Sequence, residues 1–359
     1  HDGVDLALRF VSADIATYVD GYLDLAASRS VDEHRAALAK MNEGPFDFNH
    51  VYAHRDGHIG WEMFGRLPRR AKDGLFVRDA HDPDAQWNGY LDFAENPKIS
   101  SPDGGVVASA NSVTDPANFA PIATRTHFEP SYRQDRIEAV LTSRSDHTAA
   151  TMSALHADVL ADYAPPVRDA LVALTGEVAA GTVAARTREA LAAWDGSFDV
   201  DAVGAPVFFF LQQRLLPLVF VPLLGSHVGK RFATGRRGLP RLQRLLVDAA
   251  DPLRAAIERA AGRSLSALAL EALDAACTRI AYGCGTDDVA LWRWGSIQRA
   301  RLGGLLAHIP GIGNRLVAYD GPYPGDDYTV NPNRGLDDGK HLRVLVSGTS
   351  RFVCDLSKP

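Results

Sequence analysis

Asn111 closes a short apolar run, Gly105-Val-Val-Ala-Ser-Ala-Asn111, and Arg133 follows it by 22 residues in Ser131-Tyr-Arg-Gln-Asp-Arg-Ile137. The first stretch reads as a buried strand over 106–110 that ends on an amide side chain. The second reads as the opening of a helix carrying guanidinium groups. An amide held at the end of a rigid element is a good donor to a developing oxyanion. A buried Arg can lock such an amide in place with its planar fork of donors. An Asn at a strand end is also an ordinary turn or cap residue. Both readings stand on these residues alone.

Other chemistry-bearing types are weaker. His50, His54 and His58 are spaced four apart. On one helix face that spacing would suit a metal, but here it falls in a hairpin pattern, so these read as strand and turn histidines. Asp326-Asp327 follows a glycine and reads as a solvated turn, with calcium binding as the alternative. Cys277, Cys284 and Cys354 show no CxxC or Cys/His spacing, and read as buried free thiols rather than a metal site or a required disulfide. Gly196-Ser197, Gly225-Ser226 and Gly295-Ser296 are read as loop or cap serines.

These residues need elements to hold them. The sequence predicts a strand from Val4 to Phe10 and helices over Ala13–Ala27 and Val31–Met41. A hairpin, Phe46–Phe64, turns at Arg55-Asp-Gly57, since Asp-Gly favours the tight turn that hairpins use. After the 106–110 strand, the pattern is helical from Tyr132 to about Gln298. Asp251-Pro252 opens one of these helices and Gly262 closes it. Leu268, Ala272, Cys277 and Ile280 share a face of another, with Gly283 as its expected stop. His341–Val346 and Arg351–Leu356 alternate as two returning strands. The expected organisation is one incomplete domain in three parts: sheet-rich 1–128, a helical insertion over 129–300 and returning strands over 301–359.

The chain has 359 residues, 46% of them hydrophobic and 23% charged, with a net charge of −6. That is ample for a buried core and argues against a nucleic-acid partner. The basic run Gly229–Arg237 reads as a solvated loop. The apolar run Ala205–Leu224 is interrupted by Gln212, Gln213 and Arg214. It reads as a core or pocket-lining helix and not as a membrane span.

Several stretches together resemble the penicillin acylase family. They are Asn49-His-Val-Tyr-Ala-His-Arg-Asp-Gly-His-Ile-Gly60, Gly65-Arg-Leu-Pro-Arg69, Trp87–Ile99, Ser101–Asn111, Trp194-Asp-Gly196, Trp292-Arg-Trp-Gly295, Gly325-Asp-Asp-Tyr-Thr-Val-Asn331 and Arg351–Leu356, in the family's order. The resemblance implies an α+β fold: part of the layered αββα N-terminal-nucleophile hydrolase fold, with a large helical insertion. It implies an amidohydrolase acting on an N-acyl amide such as a penicillin, an acyl-homoserine lactone or a related compound. The resemblance implies that Asn111 donates to the oxyanion and that Arg133 orients either Asn111 or the region of the nucleophile's α-amine. The family's nucleophile is an N-terminal Ser whose own α-amine, with a pKa near ~8, accepts the hydroxyl proton. His1 cannot play that part, so the chain reads as an internal portion of the large (beta) subunit, inactive alone. Its expected partner is a small (alpha) subunit from the same zymogen precursor. The resemblance implies no redox cofactor, a possible structural calcium, and a periplasmic or secreted location. Where the family often has a His after Trp292-Arg-Trp-Gly295, this chain has Ser-Ile-Gln298, which predicts a weaker polar network there. The rival reading is a non-catalytic descendant that keeps the fold as a binding or structural module.

Overall fold

The computed structural model describes residues 5–11, 19–71, 76–113, 128–348 and 350–357. The chain divides into two compact units, one of residues 1–149 with 354–359 and the other of residues 150–353.

The first unit opens with helices α1 (Val19–Ala27) and α2 (Val31–Met41). Ser30 starts α2 by accepting a hydrogen bond from Glu33 N at 3.2 Å, while Glu33 reaches back to Arg29 N at 2.7 Å. Both bonds satisfy donors that a helix start otherwise leaves open. Strands β1 (Phe48–Ala53) and β2 (Ile59–Phe64) form the expected hairpin, paired from Phe48–Phe64 to Ala53–Ile59. Short strands β3 (Pro68–Arg70) and β4 (Trp87–Tyr90) pair with each other, and β5 (Lys98–Ser100) adds to β2. Trp61, Met63 and Leu67 form one small core, and Leu38, Met41 and Phe64 another. Helix α3 (Tyr132–Thr142) then follows the 105–113 segment.

Two expected strands are absent from this unit. Residues 5–10 form no strand; Leu6, Leu8 and Phe10 alternate but stay exposed. Residues 106–110 are mostly apolar yet join no ladder among the described residues. Alternation and apolarity describe a strand's faces but do not supply its partner.

The second unit is mainly helical: α4 (Ala149–His156), α5 (Ala164–Leu174), α6 (Val183–Ala192), α7 (Gly204–Leu224), α8 (Ser226–Thr234), α9 (Gly238–Val247), α10 (Leu253–Ala261), α11 (Leu265–Cys284) and α12 (Trp294–Ile297). Its core is built on α7, where Phe208, Leu211, Leu215 and Val219 are buried together with Leu268, Ala272 and Ile280 of α11. By length and apolarity α7 would suffice to cross a bilayer, but half of its apolar stretch is buried. It acts here as the central helix of a core, as the sequence predicts. An aromatic cluster surrounds its start: Trp194 lies 4.7 Å from Phe208 and 5.1 Å from Phe198, which lies 5.1 Å from Trp294. Gly204 permits this packing, since a side chain there would collide with Trp194.

Helix α10 opens after Asp251-Pro252, with Asp251 accepting from Leu253 N at 2.9 Å, and closes on Gly262. Helix α11 runs past Gly283 to Cys284 and stops at Gly285, in the left-handed conformation at φ 71°. Gly283 is instead a place of close approach, where a Cβ would lie 3.1 Å from Lys340 O. The basic run falls on α8 and the turn after it, not in a loop. Strands β6 (Gln298–Gly303), β7 (Val317–Pro322), β8 (Asn333–Asp337) and β9 (Leu342–Ser347) complete a sheet of order β7-β6-β9-β8. The last expected strand, over Arg351–Leu356, does not form. Arg351 instead donates to Asn331 Oδ1, and Phe352 is exposed.

Candidate active site

Asn111 sits at a turn in the chain, with φ at 66°. Asn tolerates this left-handed conformation better than other residues with a Cβ, apart from Asp. Its carbonyl accepts from Glu129 N at 3.0 Å, which ties the turn to the approach of α3. Helix α3 begins after Ser131, whose hydroxyl donates to Asp135 in the first turn at 2.8 Å. That turn presents Arg133 and Gln134.

Arg133 Nη2 donates to Asn111 Oδ1 at 2.9 Å and to Ala110 O at 2.9 Å. The two residues selected from sequence, 22 apart in the chain, are therefore in direct contact. The bond also decides which way the amide faces. A guanidinium only donates, so its partner on Asn111 must be the oxygen. The Nδ2 hydrogens face elsewhere, and no hydrogen bond engages them among the described residues. An exposed amide donor whose oxygen is pinned by a cation is suited to receive a developing negative charge. Arg133 itself is half-buried, not buried as the sequence predicts.

The buried polar group here is the next residue. Gln134 is 3% exposed, and its Nε2 donates to Ala108 O at 3.0 Å and to Glu138. Nothing in the sequence distinguished it from a surface residue of a polar helix start.

The other sequence candidates play structural parts. His50 lies on β1, its pKa lowered to about 4 by burial first and by His34 next. Its ring centroid is 5.0 Å from that of His34, and His34 lies 4.5 Å from Tyr52. His54 is bonded to Arg29 O and paired with Asp56, and His58 to the hydroxyls of Ser100 and Ser101. Among the described residues no three His, Cys, Asp or Glu side chains are grouped to hold a metal.

Asp326 is buried rather than solvated, which corrects the sequence reading of a surface turn. Its carboxylate accepts from Tyr328 N, Thr329 N and Tyr163 Oη at 2.8, 3.0 and 3.0 Å. Burial nevertheless dominates and raises its pKa to about 7, with Asp327 adding to the rise. Asp327 is taken by Arg334 in a two-oxygen pair at 2.8 and 2.9 Å. With one carboxyl tied up in its own loop and the other held by a cation, this pair does not fit a calcium site.

Gln298 also corrects an expectation. Buried at 2% exposure, its Nε2 donates to the carbonyls of Tyr323, Pro324 and Gly325, so the polar network expected to weaken is present. Trp294 Nε1 reaches the same Gly325 carbonyl at 3.0 Å. All three cysteines are free thiols, but Cys277 alone is buried as the sequence predicts; Cys284 is half-buried and Cys354 exposed.

A thermostable penicillin G acylase from Alcaligenes faecalis superimposes with a TM-score of 0.57 at 20% identity, over 77% of this chain and 53% of that one. The fold is thus the α+β fold of an N-terminal-nucleophile hydrolase. The penicillin amidase family profile matches residues 1–359, and the chain belongs to that family. Acyl-homoserine lactone acylase QuiP of Pseudomonas aeruginosa is 25% identical over 244 residues, 63% of this chain and 28% of that protein. Penicillin acylase 2 proenzyme of a Pseudomonas species is 28% identical over 177 residues, 49% of this chain and 22% of that protein. The chain therefore matches about a quarter of the length of these curated relatives.

Proposed function

We propose that the chain is part of an amidohydrolase that cleaves an N-acyl amide, with Asn111 donating to the oxyanion and Arg133 orienting it. The observation that carries this is the Arg133–Asn111 bond at 2.9 Å, which turns the amide's donor side outward in a chain of the penicillin amidase family. In this reading the nucleophile is an N-terminal Ser held outside these 359 residues. The hydroxyl oxygen attacks the amide carbon and its proton passes to the Ser's own α-amine. The carbonyl oxygen becomes an oxyanion and takes a hydrogen bond from Asn111 Nδ2. Collapse of this intermediate breaks the C–N bond, and the leaving amine takes the proton back. Water then hydrolyses the acyl-enzyme to a carboxylic acid and restores the Ser.

The relatives' names support two substrate classes, penicillins and acyl-homoserine lactones, both amides with an acyl chain. The full-length enzyme, assayed on phenylacetyl and long-chain acyl anilides and on acyl-homoserine lactones, tests the reading. Asn111→Ala should lower kcat by roughly 10² to 10³ with KM far less changed, as for loss of one oxyanion donor. A near-normal kcat in Asn111→Ala would place the oxyanion site elsewhere.

A further inference from the structure

Asn111 ends a segment that pairs with no strand among the described residues, and side chains hold its backbone carbonyls. Carbonyl oxygens in such a segment are strong acceptors that need partners when shielded from water. Helix α3 supplies those partners from two successive side chains. Arg133 Nη2 donates to Ala110 O at 2.9 Å, and Gln134 Nε2 donates to Ala108 O at 3.0 Å. Residues 108 and 110 are alternate positions, whose carbonyls in an extended chain face one side, where a paired strand would offer its N–H groups. Two side chains of one helical turn thus engage carbonyls of the kind that a paired strand engages.

Gln134 is the better sheltered of the two. It is 3% exposed, and Ala108 beside it is 8% exposed. Its second amide hydrogen goes to Glu138, one helical turn on. An aliphatic side chain would fill the same buried space without desolvating an amide. The bond to Ala108 O is what the amide adds.

We propose that Gln134 is a positioning residue for Asn111. Its bond to Ala108 O sets the height and tilt of segment 106–111, while Arg133 holds the Ala110 carbonyl and the Asn111 side chain. The Nδ2 donor is then aimed before substrate arrives. The proposal rests on the reading of Asn111 as the oxyanion donor. Misplacing such a donor by a fraction of an ångström weakens it in the transition state far more than in the ground state.

The test uses the full-length enzyme with Gln134→Met, Gln134→Lys, Asn111→Ala and the double variant Gln134→Met/Asn111→Ala. Gln134→Met keeps the volume and removes the donor. It should lower kcat by roughly 10-fold with KM within about twofold, because the loss falls on the transition state. Gln134→Lys has an ammonium that can reach Ala108 O beside Glu138, and should recover kcat to within about threefold of the parent. In the Asn111→Ala background, Gln134→Met should cost less than about twofold further, since its effect acts through Asn111. If Gln134→Met does not mature, the Lys variant decides alone. A Lys enzyme that folds but stays roughly 10-fold or more slower than the parent overturns the proposal. So does a Gln134→Met enzyme with the parent's kcat, or one whose loss is fully additive with Asn111→Ala. A normal kcat in Asn111→Ala sinks the reading of Asn111 and this proposal with it. A slow Asn111→Ala beside a normal Gln134→Met sinks this proposal alone.

Discussion

Arg133 holds Asn111 by two acceptors at once, the side-chain Oδ1 and the carbonyl of the preceding Ala110, both at 2.9 Å. One guanidinium nitrogen therefore couples the rotamer of the amide to the backbone that carries it. The half-buried position matters for how much this is worth. Hydrogen bonds to a charged group contribute about 1.5–3 kcal/mol each, less where water competes.

Arg133→Leu should therefore lower kcat by at least as much as it lowers stability. Ala110 O and Asn111 Oδ1 are neutral acceptors, so losing these two bonds leaves no bare charge at either. The melting temperature should fall modestly and precursor processing should be slowed, not abolished. Arg133→Lys should restore stability better than activity, because an ammonium cannot reproduce the planar fork. A gel for subunit processing, a thermal melt and kcat, measured together, check this. A Leu variant that matches the parent in all three would mean that Arg133 is a surface charge.

How far the sequence could be read depends on whether a signal is local. The Asp56-Gly57 turn and the Asp251…Gly262 helix limits both arise from neighbours within a few residues, and both are found. The Asn111–Arg133 contact was legible too, but through the spacing that carries a family resemblance rather than through local physics. The misses share a cause. The 106–110 run had a strand's composition, but a strand's partner is a property of the whole fold. Gly283 looked like a stop, and only Lys340 from β9's approach reveals it as a close-packing site. Gln134 and Asp326 are polar residues in polar surroundings along the chain, and only the fold buries them.

Asp326 gives a pH dependence of defined sign. Its folded pKa is raised to about 7, above the ordinary carboxylate value of 3.8 in the unfolded chain. The folded state thus holds the proton more tightly, and the stability this confers is complete below the unfolded value. It is lost as pH rises from about 4 through about 7. Asp326→Asn keeps the shape and stays neutral. Its melting temperature relative to the parent should rise between pH 4 and pH 8, as the parent acquires a buried charge. A difference that stays flat across that range would show that the bonds from Tyr163, Tyr328 and Thr329 keep Asp326 ionised at an ordinary pKa.

His50 should give the opposite slope. Its pKa is lowered to about 4 from 6.5, by burial first and by His34 second. The groups around it are His34 on α2, itself lowered by burial against the opposing Glu62 charge, and Tyr52, which donates to Glu62 at 3.2 Å. Arg35 pairs with that same Glu62 oxygen at 2.7 Å, so the nearest carboxylate is already satisfied. A proton added to His50 would find no free counter-charge. The folded state binds the proton more weakly than the unfolded chain does, so stability is complete above 6.5 and is lost as pH falls toward 4. His50→Phe keeps a flat ring in the stack with His34 and Tyr52 and cannot be charged. Its melting temperature relative to the parent should rise as pH drops from about 7 to about 4, and the ring resonances of His50 in the parent should titrate near 4. A His50 midpoint at the ordinary 6.5, with parallel melts for the two proteins, would mean that the ring is solvated and that the α2–β1 stack is not a closed apolar contact.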